Sequence, residues 1–198
     1  MIETDILLLL VATAAAVYGY VEYGREIPKK TLRPRPFTWL IWGILSTCVT
    51  VIQIQNGAEL GVVGAVLGAV SGYILAGMAW YYGHRKIHEV DILSLVLAAG
   101  VLVLWGFVGD QVTAIAATLV YMIGFVPTVV RAVKAPTHER ILPFAMSVFK
   151  YTISFVLLEK VSVETAIYPI GLALANAAFI VMILGLRLHR HGTTSRKK

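Results

Sequence analysis

A single cysteine, Cys48, rules out an intramolecular disulfide, and charged residues make up only 14% of the 198 positions. Soluble domains carry nearer a quarter charged residues, so a water-facing surface of ordinary polarity is not available to this chain. No nucleophile–base pair, phosphate-binding glycine loop or zinc-ligand spacing occurs, which argues against an enzyme. No basic region precedes the first apolar run, which opens Met1-Ile2-Glu3-Thr4-Asp5. A cleavable signal peptide needs such a region, so this run reads as a retained helix.

What is abundant is apolar surface: 58% of residues are hydrophobic and mean hydropathy is +0.79. A bilayer crossing takes roughly 20 mostly apolar residues. Seven such segments can be drawn, at about 5–23, 37–55, 60–82, 90–108, 112–134, 141–158 and 163–187. They leave only short connections and a basic tail over 188–198, with no separate soluble domain.

The connections fix the expected orientation. Fifteen of the seventeen Lys and Arg residues lie in alternate connections and the tail: Arg25 to Arg35, Arg85 and Lys86, Arg131 to Arg140, and Arg187 onward. The other side offers Glu3, Asp5, Glu59, Asp110, Glu159 and Glu164, with Lys160 as its one base. Basic loops stay in the cytoplasm, which predicts a multi-pass protein of the cell membrane, N-terminus outside and C-terminus inside. The net charge of +6 is therefore a topology signal, and no nucleic-acid partner is expected.

The chain also repeats itself. Gly19-Tyr20-Val21 ends the first segment and Gly124-Phe125-Val126 recurs in the fifth, at an offset of 105. Pro36-Phe37-Thr38-Trp39 opens the second segment and Pro143-Phe144-Ala145-Met146 the sixth, at an offset of 107. The same offset pairs Trp42 with Phe149, Gly43 with Lys150 and Thr47 with Ser154. These matches predict two parallel three-helix repeats, residues 1–86 and 112–187, joined by a linker helix within 87–111.

The second half resembles the SWEET and PQ-loop (MtN3-like) superfamily of membrane transporters. Leu142-Pro143-Phe144-Ala145-Met146-Ser147 is similar to that family's opening of helix six. Pro127 stands where the family places a helix-five proline, and Tyr168-Pro169-Ile170-Gly171 resembles its Pro-Asn-Gly segment. The chain departs from the pattern near Glu22, where a proline is missing, at Ile170 in place of the pocket asparagine, and near Val51 and Leu158, the tryptophan positions. The resemblance implies an all-helical 3+1+3 fold and transport of a small polar solute by alternating access. A receptor or sensor on the same fold is the alternative, since fold does not fix function.

Lys150 stands out, because a lysine in the middle of an apolar helix costs roughly 3 kcal/mol and almost always faces a cavity or a partner. No carboxylate lies at matching depth, which favours an anionic solute and argues against a retinal-type Schiff base; no cofactor is implied. Thr47, Ser71, Ser154 and Asn176 are the other intramembrane polar groups, and with Lys150 they form the candidate substrate-binding set. Ser and Thr more often bond their own helix backbone. Pro36, Pro127 and Pro143 are the candidate hinge positions: two at helix starts, where proline costs little, and Pro127 inside a helix it should kink. Gly57, Gly61, Gly64, Gly68 and Gly72 recur at about helical spacing and predict close helix packing, with homo-oligomer contact as the other use. His84 and His88, spaced i,i+4 in a charged loop, read as solvated histidines, and no metal site is expected.

Overall fold

A computed structural model describes residues 2–32, 34–83, 89–137 and 139–195 of the chain. Every regular element among them is helical: α1 (Ile2–Glu26), α2 (Pro36–Gln55), a 3-10 turn (Glu59–Val62), α3 (Val63–Tyr82), α4 (Glu89–Ile123), α5 (Val126–Lys134), α6 (Leu142–Val156) and α7 (Val163–Ser195). Five stretches are long and apolar enough to cross a membrane, and α6 is a shorter apolar helix. Their outer faces are apolar as well, with Leu10, Val103, Phe107 (83% exposed) and Val181 all turned outward. Such faces have no use in water and are compatible with a helical membrane protein.

Proline sets the helix starts as expected: Pro36 and Pro143 each occupy the first turn of their helices, where the missing N–H would have no partner anyway. The region around 90–134 differs from the two separate helices expected. Residues 89–123 run as one helical stretch divided only at Gly109, whose φ of 77° and ψ of 174° are open to glycine and to almost nothing else. The helix then stops at Ile123, turns through Gly124 and Phe125, and restarts at Val126. The cause lies at Pro127, which cannot donate to the carbonyl four residues back, at Ile123, and whose ring would strike it. At the turn the Phe125 N–H donates to the Met122 carbonyl at 3.0 Å, and the Phe125 carbonyl starts the next helix by accepting from Thr128 and Val129 at 3.0 and 3.2 Å. Pro127 thus breaks the helix completely rather than kinking it.

In the bundle, α2 packs against α3 and α4, α1 against α6, and α7 against α6 and α4. The central cluster joins Ile41, Leu45, Ala98, Val101, Ala117 and Leu172 around Tyr151 and Tyr168. Glycine makes the closest approaches, as the spacing on α3 predicts. A Cβ on Gly72 would stand 2.6 Å from the Gly43 Cα, and one on Gly64 would stand 2.9 Å from the Ser154 Cβ. Gly61 is pressed just as tightly against Leu158. The ends of α1, α3, α5 and α7 and the starts of α2, α4 and α6 share one end of the bundle. There Arg140 meets Glu26 at 3.5 Å, Arg35 meets Asp91 at 3.6 Å, and Arg187 donates to the Pro136 and Glu139 carbonyls. Arg33, the loop with His84, Arg85, Lys86 and His88, and the last three residues lie outside the described residues.

Candidate functional site

A cavity of about 640 Å³ lies among α1, α2, α4, α5, α6 and α7 and reaches the end that carries the basic connections. This is the size range of small-molecule sites. Its mouth is formed by Leu32, Pro34 and Arg35 on one side and Lys134, Glu139 and Arg140 on the other. Its walls are aromatic: Tyr20 and Tyr23 from α1, Trp39 and Trp42 from α2, Tyr121 from α4, and Phe144 and Tyr151 from α6. Trp42 stacks on Tyr121 (centroids 5.0 Å apart, planes at 11°) and donates its indole N–H to the Tyr121 carbonyl at 3.0 Å. Trp39 meets Trp42 edge-on at 5.1 Å, and Tyr23 leans on Trp39 at 5.2 Å. Interlocked rings of this kind hold one another's rotamers, so the walls are preformed.

Beyond Tyr151 the interior closes. Tyr168 is fully buried and its hydroxyl lies 2.7 Å from the Ser46 hydroxyl and 3.5 Å from that of Tyr151. Further along, Ser154 Oγ donates to the Gly61 carbonyl and accepts from the Gly64 N–H at 3.3 Å, while Gln53 Nε2 donates to the Thr165 carbonyl at 2.6 Å. Side chains and close-packed glycines fill that half of the bundle.

Of the five residues named from sequence as substrate-binding, Asn176 alone lines this cavity, and its Nδ2 donates to the Leu172 carbonyl at 2.7 Å. Thr47 faces outward, bonded to the Gly43 carbonyl at 2.9 Å and 3.0 Å from the Tyr73 hydroxyl. Ser71 bonds the Gly68 carbonyl within its own helix at 3.1 Å. Ser154 ties α6 to the start of α3. Thr47 and Ser71 follow the local backbone-bonding habit of short hydroxyl side chains, whereas Ser154 serves as a tie between elements. Of the hinge positions, Pro143 lines the cavity, while Pro36 is buried at the start of α2.

Lys150 is 0% exposed and stands one layer behind the cavity wall. Its Nζ donates to Tyr20 Oη at 2.8 Å and sits over the Tyr151 ring, 3.9 Å from the centroid. Among the described residues no carboxylate pairs with it. A void of about 10 Å³ beside it shares Tyr20, Pro143 and Ser147 with the main cavity. Tyr20, Tyr121, Tyr151 and Ser147 had no place in the set drawn from sequence. The available signal was their position: tyrosines inside apolar segments, one of them next to the buried lysine and another within the repeated Gly19-Tyr20-Val21 triplet.

Among the described residues no cluster of His, Cys, Asp and Glu could hold a metal ion. Comparison with protein-family models, curated proteins and solved structures finds no match for the chain.

Proposed function

We propose that this chain is a solute carrier of the cell membrane, with seven transmembrane helices in a SWEET-like 3+1+3 arrangement, N-terminus outside and C-terminus in the cytoplasm. The apolar stretch Asp91–Lys134 has 44 residues. As a straight helix it would be about 66 Å long, twice the roughly 30 Å hydrocarbon core. Ala98 and Val101 share a cluster with Ala117 and Val120, and Trp105 and Ala114 meet the same Cys48 and Ile52. Both facts fit a chain that turns back at Gly109 and crosses twice.

The repeat has support in the packing. The α2–α3 contact has its counterpart in α6–α7, and α1–α6 in the contact between α2 and α4, which includes Trp42 on Tyr121 near the end of α4. Gly19 of the first repeated triplet seats against Met146 and Pro143 on α6, and Gly124 of the second seats against Trp42 on α2. Each glycine thus faces the second helix of the opposite repeat.

The observation that carries the function is the cavity itself: aromatic-walled, contributed by both repeats, reaching one end of the bundle and sealed at the other. Alternating access requires such a site, with the repeats rocking about it. Purified protein in proteoliposomes, screened by thermal shift against sugars, amino acids, vitamins and organic anions, tests the proposal: a stabilising solute should also show counterflow. A solute that binds without counterflow would instead make this a one-sided receptor pocket.

A further inference from the structure

Lys150 is a fully buried cation whose partners are a phenol oxygen and a ring face, neither of which carries a negative charge. A buried ammonium without a fixed anion is costly, and the cost is relieved when an anion comes within a few ångströms. The cavity wall in front of it is Tyr20 and Ser147, which border both the cavity and the small void beside Lys150. Tyr20 Oη already accepts from Lys150 at 2.8 Å. Its own O–H is therefore left as a donor, strengthened by the charge behind it. Neither that hydroxyl nor that of Ser147 donates to any described residue. At the mouth, a buried Arg35 Nη1 also has no hydrogen-bond acceptor and lies 3.6 Å from Asp91. The walls between Tyr20 and the mouth are aromatic rings.

Resting on the reading of this cavity as the solute site, we infer that the solute is a planar aromatic carboxylate. Its ring lies among the aromatic walls beside Trp42 and Tyr121, and its carboxylate accepts from Tyr20 and Ser147, with Lys150 supplying the charge behind them. Neutral isosteres lose the charge-assisted bonds, cationic ones meet Lys150, and saturated acids lose ring stacking. Lys150 is a positioning residue that acts through Tyr20.

Benzoate, benzamide, benzylamine and cyclohexanecarboxylate form a matched probe set. Binding is read on the full-length protein in detergent from quenching of tryptophan emission, Trp39 and Trp42 being cavity walls. Benzoate should bind at least about tenfold tighter than each of the other three. In Lys150→Met the preference for benzoate over benzamide should collapse toward unity while benzamide affinity is kept, and Tyr20→Phe should reduce the same ratio. Should Lys150→Met fail to fold, Tyr20→Phe alone decides. Equal binding of benzoate and benzamide by the native protein, or a preference that survives either substitution, overturns the inference. Counterflow of a sugar with no benzoate preference would sink the substrate class and leave transport standing. Lys150-dependent benzoate binding without counterflow would do the reverse.

Discussion

Replacing Gly72 by alanine adds one methyl group at the tightest contact between α2 and α3. The new Cβ would lie 2.6 Å from the Gly43 Cα, 2.7 Å from the Gly43 nitrogen and 3.1 Å from the Trp39 carbonyl oxygen. Carbon atoms rest at about 3.5–4.0 Å, so the helices must part by close to 1 Å along their seam. All three neighbours are backbone, so no side chain can turn aside. Overpacking of this kind costs about 1–3 kcal/mol, and alanine returns up to about 1 kcal/mol through its better helix propensity. Gly77, on the same helix, has nothing within 4 Å of its would-be Cβ. Gly77→Ala therefore carries the propensity gain without the clash and is the internal control. Thermal unfolding in detergent should show Gly72→Ala several degrees below the native protein, at about 2–4 °C per kcal/mol for a chain of this length, and Gly77→Ala level with it or slightly above. A Gly72→Ala protein as stable as Gly77→Ala would refute the close α2–α3 packing on which the bundle rests.

Cysteines placed at Thr137 and Val161, in a Cys48→Ala background, should react with an impermeant reagent from the cytoplasm and from outside respectively; the reverse pattern would overturn the orientation read from the basic loops. Ser154→Ala should lower stability by about 1–3 kcal/mol, because the buried Gly64 N–H and Gly61 carbonyl lose their partner, and should leave solute affinity unchanged; a binding defect without destabilisation would restore Ser154 to the site. Pro127→Ala should keep the protein folded but join α4 to α5, slowing exchange between inward- and outward-open states, measured as a lower counterflow rate at unchanged affinity. An unchanged rate would reduce the break at Gly124 and Phe125 to a static feature.

Composition and the charge of the connections were enough to foresee a helical, bilayer-suited chain, because lipid imposes helices on any spanning backbone. The helix starts at Pro36 and Pro143 were legible because proline acts locally through its own ring. The break before Pro127 was half legible: the proline marks the place, but stopping the helix also took the Gly124-Phe125 turn, where the Phe125 N–H donates three residues back to Met122. The site was harder. Polarity within an apolar helix identifies a group that must find a partner but not which partner: for Thr47 and Ser71 it is backbone of their own helix, and for Ser154 backbone at Gly61, across the bundle. The tyrosines escaped notice for the opposite reason. A ring with one hydroxyl passes for apolar core in a hydropathy pattern, and only the tertiary fold brings Tyr20, Tyr121 and Tyr151 together from α1, α4 and α6 to wall one cavity.

Ser147 reports on two-sided access to the cavity, since it borders both the main cavity and the void beside Lys150. With Ser147→Cys in the Cys48→Ala background, a small impermeant thiol reagent is applied from one face or the other of oriented membrane vesicles. Modification is expected from the basic-loop face, where the cavity now reaches, and also, more slowly, from the opposite face, as the repeats exchange positions. Modification from the basic-loop face alone under every condition, with or without a stabilising solute, would contradict alternating access and leave a pocket that only one side of the membrane can reach.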